Sequence, residues 1–318
     1  MNRHYKIAFC GLGSIGTRHL RNVITYLKNN DCTFQIDAIR SGIGNPLDDE
    51  VGAYITNQYT YQDEVPADYD IVFITNPTSL HRESIQRYGK CTKSMFIEKP
   101  VMDAEHCSLD VLPKDVICYV ACPLRYTKVL QYVKQMIDCG SAYCVRAICS
   151  TYLPDWRPGT DYRDSYSAHR SMGGGVSIDL IHEWDYIAWL FGKPESLSCI
   201  RNKISKLEID SDDIAVYIGQ SADRVYELHL DYFGKEEIRT LEIYMPNQNV
   251  TVDIRGGRIR FVGKHKAEEK EISLSEDRDA YQLREIEHFF RIIDGECEND
   301  NTAAHAVDIL KLTQGEVC

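Results

Sequence analysis

The chain has 318 residues, which is enough for two domains that each bury a core. Its formal net charge is −12 and it has no basic run, so we expect no nucleic-acid partner, because binding phosphates requires clustered Lys and Arg. Apolar runs stay well below the roughly 18 residues of a membrane span, and we therefore expect no membrane partner.

The twelve cysteines are scattered without the paired spacing of a zinc site, so we predict no metal site. A secreted disulfide framework is not expected in a chain of this length, and reduced thiols indicate a cytoplasmic protein. The first predicted strand begins at Tyr5, and we expect no signal peptide before it.

The first part of the chain alternates predicted strands and helices. We predict strands over residues 5–10, 33–40, 70–75, 94–97 and 116–121, and helices over 15–28, 78–88 and 103–109. Repeated strand–helix units of this length predict a doubly wound parallel sheet, the Rossmann arrangement, over residues 1–122. Turns follow the carboxyl ends of these strands, where such sheets bind ligands, at Gly11, Ser41, Asn76 and Lys99.

The pattern changes after about Pro123. We predict helices over residues 127–139, 173–191, 279–293 and 302–313, a strand over 143–152, and a loop rich in Tyr, Trp, Arg and Asp over 153–172. Strands with period-two alternation follow between residues 195 and 274, for example at 214–218 and 225–232. Residues 123–318 are therefore predicted to form a second α/β domain with a large, mostly antiparallel open sheet.

The first strand runs into Gly11-x-Gly13-x-x-Gly16 and then directly into a predicted helix. This strand–turn–helix context is typical of a dinucleotide-binding turn. Gly11 permits a tight turn, Gly13 lets a pyrophosphate approach the backbone, and Gly16 lets the helix pack closely on the strand. The N–H groups at the helix start, including those of Ser14 and Ile15, favour an anion. A glycine-rich turn without a ligand is the alternative reading.

The end of the second strand distinguishes NAD from NADP. NAD sites usually carry Asp or Glu there, which accepts hydrogen bonds from the ribose 2′-hydroxyl. Here that position is Ser41, next to Arg40, and an Arg at this place can pair with a 2′-phosphate. We therefore favour NADP over NAD as the cofactor. Asp37, earlier in the strand, is the alternative ribose acceptor if the strand register differs.

Four motifs in order along the chain together resemble those of the Gfo/Idh/MocA oxidoreductases. They are Gly11-x-Gly13-x-x-Gly16, Asn76-Pro-Thr-Ser-Leu-His81, Glu98-Lys99-Pro100 and Gly173-Gly-Gly-x-x-x-Asp179-x-x-His182-x-x-Asp185. The resemblance covers the chain through about Gly192. It implies a Rossmann domain followed by an α/β domain whose open sheet binds substrate and often mediates homodimers or homotetramers. Tyr152-Leu-Pro-Asp-Trp-Arg-Pro-Gly159 further resembles members associated with surface-sugar and nonulosonic-acid pathways.

The resemblance also implies which side chains form the site. Lys99 matches the Lys near the nicotinamide ribose and the substrate oxygen, and His182 matches the acid/base histidine, with Asp179 as its neighbouring carboxylate. The cofactor contacts implied besides Lys99 are Gly11, Gly13, Ser14, Ile15, Gly16, Arg40, Ser41, Thr75, Asn76, Pro77, His81, Glu98, Trp156 and Arg157. The substrate contacts implied besides His182 are Arg125, Tyr126, Tyr152, Tyr162, Arg163 and Tyr166.

Asp179 and His182 are three residues apart on a predicted helix, so their side chains share a face, and the carboxylate can orient the imidazole. Many members of the family space these two residues four apart, which leaves Asp185, three residues further on, as the alternative partner. His182-Glu183-x-Asp185 lacks the second histidine of a zinc-binding HExxH helix, so acid/base chemistry is favoured over metal binding.

The sequence therefore predicts an NAD(P)-dependent dehydrogenase or reductase. It would transfer hydride between nicotinamide and a carbinol or carbonyl carbon of a sugar, amino sugar or nucleotide sugar. The competing hypothesis is a cofactor-binding regulatory protein on the same fold without turnover, since a fold does not fix a function. A third, an imine or pigment reductase, would not need His182. The presence of both Lys99 and His182 favours the dehydrogenase.

Overall fold

The computed structural model describes residues 3–42, 46–47, 49–104, 107–264 and 269–317. These residues form two compact units. The first unit is the chain up to Pro123 together with Arg278–Val307, and the second is Leu124–Asp277 together with the chain from Asp308 onward. The sequence-based division at 122/123 places residues 278–307 in the second domain, whereas in the structure they belong to the first unit.

The first unit contains a parallel sheet, which has six strands in the described part of the chain. In chain order they are β1 His4–Cys10, β2 Thr33–Arg40, β3 Asn57–Thr60, β4 Tyr69–Ile74, β5 Thr92–Ile97 and β6 Ile117–Val120. Their spatial order is β3-β2-β1-β4-β5-β6, and every neighbouring pair is parallel. The predicted doubly wound sheet is confirmed, and the carboxyl ends of its strands lie at one edge.

The second unit contains a mostly antiparallel sheet, for which the structure describes eight strands. They are β7 Cys144–Tyr152, β8 Ser196–Asn202, β9 Ile214–Gln220, β10 Val225–Asp231, β11 Phe233–Tyr244, β12 Gln248–Asp253, β13 Arg258–Gly263 and β14 Glu269–Ser273. Their order is β14-β13-β12-β11-β7-β10-β9-β8, and only the β7–β10 pair is parallel. The predicted open antiparallel sheet is therefore confirmed.

The helices of the described residues are, in chain order, α1 Ser14–Asn29, α2 Asp49–Gly52, α3 His81–Tyr88, α4 Lys128–Met136, α5 Val176–Asp179, α6 His182–Phe191, α7 Arg278–Ile293 and α8 Ala303–Thr313. No helix within these described ranges has the length and apolar character that crossing a membrane requires. The helix predicted over 103–109 is wrong where the chain is described, because only a 3₁₀ turn forms, at Leu109–Val111. Residues 105 and 106 lie outside the described residues.

The segment Arg278–Val307, in which the chain returns to the first unit, packs against β4, β5 and β6. The ring of Phe289 on α7 lies 5.3 Å from Phe96 of β5, edge to face, and 6.0 Å from Phe73 of β4. The side chain of Asn301 donates to the carbonyl of Val120 at the end of β6. Burying one Phe contributes about 1.5–3 kcal/mol, so this segment is part of the core of the first unit.

The helix predicted as continuous over residues 173–191 is wrong, because two helices form in its place. The chain leaves helical geometry at Leu180 (φ −96°, ψ 31°), after α5, and α6 begins at His182. Asp179 therefore closes one helix and His182 opens the next. The argument that three-residue spacing on one helix places both on a shared face does not hold here.

Candidate functional site

The glycine turn after β1 packs directly against the turn that follows β4. Gly11 has φ +96°, and a Cβ there would lie 2.6 Å from the backbone of Asn76, which comes just after β4. The hydroxyl of Thr75 donates to the carbonyl of Gly11 at 2.5 Å. A Cβ on Gly16 would lie 2.2 Å from that same carbonyl. Four of the predicted cofactor residues are thus in mutual contact.

The next glycine of the turn has free space beside it. A Cβ built on Gly13 meets no described atom within 4 Å, and no side chain caps the helix that starts at Ser14. The first N–H groups of a helix have no acceptor within it and favour an anion. Gly13, Ser14 and Ile15 therefore form an open, donor-rich cradle that fits the pyrophosphate of a dinucleotide.

β2 ends at Arg40, as predicted, and Ser41 follows it. Arg40 is half-buried and Ser41 is exposed. Asp37 lies three residues before the strand end and is fully buried. Its carboxylate accepts hydrogen bonds from the Tyr69 hydroxyl at 2.8 Å and from the Asn57 amide at 2.9 Å. Asp37 is thus held inside the sheet, about 10 Å of strand away from the carboxyl end of β2.

Glu98 and Lys99 follow β5, and Glu98 is anchored to α1. His19 of α1 lies 2.5 Å from one carboxylate oxygen of Glu98, and the backbone N–H of Lys99 donates to the other at 3.0 Å. Burial alone would raise the pKa of Glu98, but the hydrogen bond and charge of His19 hold it below its usual value. Lys99 is half-buried and precedes a cis peptide bond to Pro100, as the sequence allows. This anchoring fixes the backbone from which the Lys99 side chain extends.

His81 joins two of the turns. One ring nitrogen lies 3.0 Å from the carbonyl of Asn76 and the other 3.0 Å from the carbonyl of Pro100. Burial lowers the pKa of His81 although both carbonyls favour its protonated form. His81 therefore links the loop containing Asn76 and Pro77 to the loop after Lys99, which is a positioning role.

In the second unit, the carboxylate of Asp179 is held by a tyrosine. The Tyr232 hydroxyl donates to it at 2.5 Å, and both residues are buried. Burial and the neighbouring Asp179 raise the pKa of Tyr232 well above its usual value, so this hydroxyl stays protonated. The hydroxyl of Tyr166 also interacts with Asp179.

Glycines at the start of α5 bring the aromatic loop close. A Cβ on Gly174 would lie 2.1 Å from the carbonyl of Tyr166. The carboxylate of Asp212 accepts the backbone N–H of Ser177 at 3.0 Å, which anchors the N-terminus of α5. The loop and the helix that ends at Asp179 therefore meet in van der Waals contact.

Asp185, three residues after His182 in the chain, forms an ion pair with Arg125. The Arg125 guanidinium donates to both carboxylate oxygens of Asp185, at 2.9 and 2.6 Å, and Arg125 is 1% exposed. Tyr126 beside it is buried too. The structure therefore places Arg125 and Asp185 in the packing around α6, where both carboxylate oxygens of Asp185 bind Arg125.

The loop residues predicted for the ligands fall into two groups. Trp156 packs edge to face on Tyr232 at 5.3 Å, and the Arg157 guanidinium lies 5.3 Å from the ring centre of Tyr166. Tyr232 and Tyr166 in turn interact with Asp179. In the other, Arg163 pairs with Asp161 and Glu208 at the surface, and the Tyr162 hydroxyl accepts the N–H of Glu208. Tyr152, at the end of β7, is half-buried below the ammonium of Lys235.

Two residues of this arrangement were not singled out from the sequence. His19 lies three residues after Gly16 on the sheet-facing side of α1, a position that helical spacing could have identified. Tyr232 reaches Asp179 only through the folded sheet, and no local pattern indicates that contact. Within the described ranges there is no cluster of three or more His, Cys, Asp or Glu side chains arranged to bind a metal.

Comparisons with known proteins agree with this architecture. Residues 5–109 match GFO_IDH_MocA, described as an oxidoreductase family with an NAD-binding Rossmann fold, and residues 130–246 match the GFO/IDH/MocA C-terminal domain. The inositol 2-dehydrogenase of Rhizobium meliloti (strain 1021) is 27% identical over 194 residues, which are 59% of this chain and 55% of that protein. The chain thus spans about half the length of the curated relatives it matches.

Solved structures resemble the chain over nearly its whole length. Levoglucosan dehydrogenase in complex with NADH and levoglucosan has a TM-score of 0.82 at 16% identity, covering 98% of this chain and 96% of that chain. The UDP-N-acetylglucosamine 3-dehydrogenase of Acidithiobacillus ferrooxidans has a TM-score of 0.75 at 18% identity, with the same coverage. At these identities the likeness concerns the fold. With both of its domains matched in sequence, the chain belongs to the Gfo/Idh/MocA family of oxidoreductases, and its first unit has that family's NAD-binding Rossmann fold.

Proposed function

We propose that the protein is an NAD(P)-dependent dehydrogenase or reductase that acts on a CH–OH carbon of a sugar, amino sugar or nucleotide sugar. The observation that carries the proposal is the open cradle at Gly13 in a chain of this oxidoreductase family. The similar proteins are named for inositol, levoglucosan and a nucleotide sugar, which supports the substrate class.

The cofactor contacts follow from the first unit. Bound nicotinamide supplies the hydride acceptor for oxidation or the hydride donor for the reverse reaction. The N–H groups of Ser14 and Ile15 would hold the pyrophosphate, and Thr75, Asn76 and Pro77 would form the neighbouring wall. Glu98 holds the backbone of Lys99 through its contact with His19.

We favour NADP, because Arg40 and Ser41 stand at the end of β2, where NAD sites usually carry an acidic residue. Asp37, the alternative ribose acceptor, already accepts hydrogen bonds from Tyr69 and Asn57 in the sheet. Arg40 would pair with the 2′-phosphate and Ser41 would hydrogen-bond to it. Arg40→Ala is expected to raise the KM for NADPH at least about tenfold and to leave that for NADH nearly unchanged, because only NADPH has this phosphate.

Lys99 and His182 are the side chains that we assign to proton handling. Lys99 would polarise the substrate oxygen, and His182 would accept the hydroxyl proton during oxidation and return it during reduction. Asp179, held by Tyr232, would fix the polar surroundings of the turn that leads to His182. Trp156, Tyr152 and Tyr166 would supply aromatic faces, and Arg157 a guanidinium, for the cofactor and the sugar.

Absorbance of the reduced nicotinamide tests the proposal. Purified protein is mixed with NADPH or NADH and a panel of sugars, keto-sugars and nucleotide sugars. Lys99→Ala and His182→Ala should each lower kcat about 10²–10⁴-fold, the usual size of a general acid–base contribution. The exposed residues Lys90 and His4 provide the matched alanine controls. Turnover that survives in both variants would contradict the catalytic assignment, and tight cofactor binding without turnover would favour the regulatory protein.

We further propose that the protein is a cytoplasmic homodimer or homotetramer joined through the open face of its second sheet. Three aliphatic residues on one face of this sheet are exposed: Ile200 by 70%, Ile218 by 50% and Val225 by 39%. The strand registers place them on the same side, opposite buried residues such as Tyr217 and Tyr226. Large aliphatic residues exposed on one face of a sheet support an interaction surface there.

A further inference from the structure

The first turn of α6 carries two buried carboxylates on either side of Trp184. Glu183 is fully buried and lies 2.8 Å from the Arg239 guanidinium of β11. Asp185 accepts hydrogen bonds from Nε and Nη2 of Arg125. Among the described residues, no side chain caps this helix, whose preceding residue is Ile181. The two ion pairs anchor residues of its first turn to β11 and to Arg125.

Glu183 and Arg239 lie in the layer between α6 and the second sheet. Arg239 is opposite Cys149 in the β7–β11 ladder, on the face that also buries Ala147 and Leu241. Burial, with Glu183 nearby, raises the pKa of the Cys149 thiol to about 12, so this neighbour stays neutral. Arg239 therefore supplies the positive charge that compensates Glu183.

Stability alone does not account for an ion pair in this layer. Removing two charges from water costs about as much as their attraction returns, and packed apolar side chains of similar volume are often as stable. The helix dipole favours an acidic residue in a first turn, but an exposed one satisfies it equally. The pair is better explained by a need for a defined geometry at the start of α6.

We propose that the Glu183–Arg239 pair is a positioning device for His182. The inference rests on the proposed function, in which His182 moves the proton. Successive helical residues are about 100° apart, so Glu183 and Asp185 point about 160° apart, and His182 lies within that arc. Arginines from two different segments thus hold both sides of the turn, and rotation about the helix axis is blocked.

A paired substitution separates positioning from stability. Glu183→Leu with Arg239→Met removes both charges and keeps an apolar volume, so the urea midpoint should stay at or above that of the wild type. The KM should stay within about twofold, while kcat should fall about tenfold to a hundredfold, since a misplacement near 1 Å costs that much. The matched control is Lys193→Met with Asp308→Leu, which removes an ion pair just beyond the other end of α6. It should leave kcat unchanged.

A second readout does not depend on turnover. NMR of ¹³C-labelled histidine, with His182 assigned from the His182→Asn variant, should show shifted or broadened His182 ring signals in the Glu183/Arg239 variant and unchanged ones in the Lys193/Asp308 control. Unchanged His182 signals and unchanged kcat overturn the inference. A Glu183/Arg239 variant that no longer folds also overturns it, because the pair then holds the fold itself. If the wild type turns over no substrate, the proposed function fails, while the NMR signals still decide the inference.

Discussion

At the scale of single residues, Gly11 and Gly13 of the same turn differ in the space beside them, which is filled at Gly11 and open at Gly13. A methyl group on Gly11 would meet the backbone of Asn76 at 2.6 Å, in a conformation with φ +96°, whereas one on Gly13 meets no described atom within 4 Å. Gly11→Ala should therefore destabilise the protein by roughly 2 kcal/mol or more, since the left-handed backbone alone costs about 1–2 kcal/mol.

Gly13→Ala should leave stability within about 0.5 kcal/mol, because its methyl group has room. It should weaken cofactor binding at least about tenfold, because in the proposed function the pyrophosphate would approach through that space. Urea unfolding and fluorescence titration with NADPH measure the two effects separately. If Gly13→Ala bound cofactor as tightly as the wild type, the assignment of the cradle would be wrong.

The largely buried pair of His19 and Glu98 predicts a stability that depends on pH. The pKa of Glu98 in the folded protein lies below its unfolded value of 4.5. Its contribution is therefore complete above about pH 4.5 and is lost as the pH falls through the lower, folded pKa. Glu98→Gln should reduce stability at pH 7 by about 1.5–3 kcal/mol, the usual value of a hydrogen bond to a charged group, and should flatten the acid limb.

Urea unfolding between about pH 3 and pH 7 measures that acid limb. Glu50→Gln is the control, because Glu50 makes only an exposed pair with Arg21. Such surface pairs contribute about 0–1 kcal/mol. Parallel acid limbs for the wild type and Glu98→Gln would show that the buried pair does not govern this pH dependence.

At the scale of elements, α6 shows how much of the site the sequence reveals. The motif from Gly173 to Asp185 correctly indicated a helical, glycine-entered segment. The break at Leu180–Ile181 was not predicted, because apolar residues there continue the helical period. Asp179 is held by Tyr232, which follows β10 far along the sequence, and such a contact leaves no trace in local periodicity. The sequence thus predicts the helical segment that contains Asp179 more readily than the distant side chain that Asp179 contacts.

The buried Arg125–Asp185 pair allows a prediction of how much stability is lost when a residue of α6 is changed. Asp185→Asn would leave a buried guanidinium without its full counter-charge, and such a change typically costs about 3–5 kcal/mol. Arg163→Ala removes exposed pairs with Asp161 and Glu208 and should lower the urea midpoint much less, because solvent screens surface ion pairs. Urea midpoints of the two variants provide the comparison. Equal midpoints would contradict the burial argument.

At the scale of the whole molecule, the pattern of apolar residues predicted both sheets, but it did not predict that residues 278–307 return to the first unit. Buried β-branched runs at 70–75 and alternation at 214–218 report the local environment of a strand, which is why both sheet types were predicted. The return of α7 to the first unit depends on Phe289 meeting Phe96 and on Glu285 accepting the N–H of Cys122. Residues so distant along the chain share no period, so only the folded structure reveals that contact.

The aliphatic face of the second sheet carries the last prediction, which concerns assembly. A charge at Ile218, which is half exposed in the single chain, would be buried without a partner in a complex, at a cost of about several kcal/mol in each subunit. Ile218→Glu should therefore convert the homodimer or homotetramer into single chains, as measured by light scattering after size exclusion. Leu109→Glu, at an exposed apolar residue of the first unit, should leave the mass unchanged. A wild type that already elutes as a single chain would refute assembly through this face.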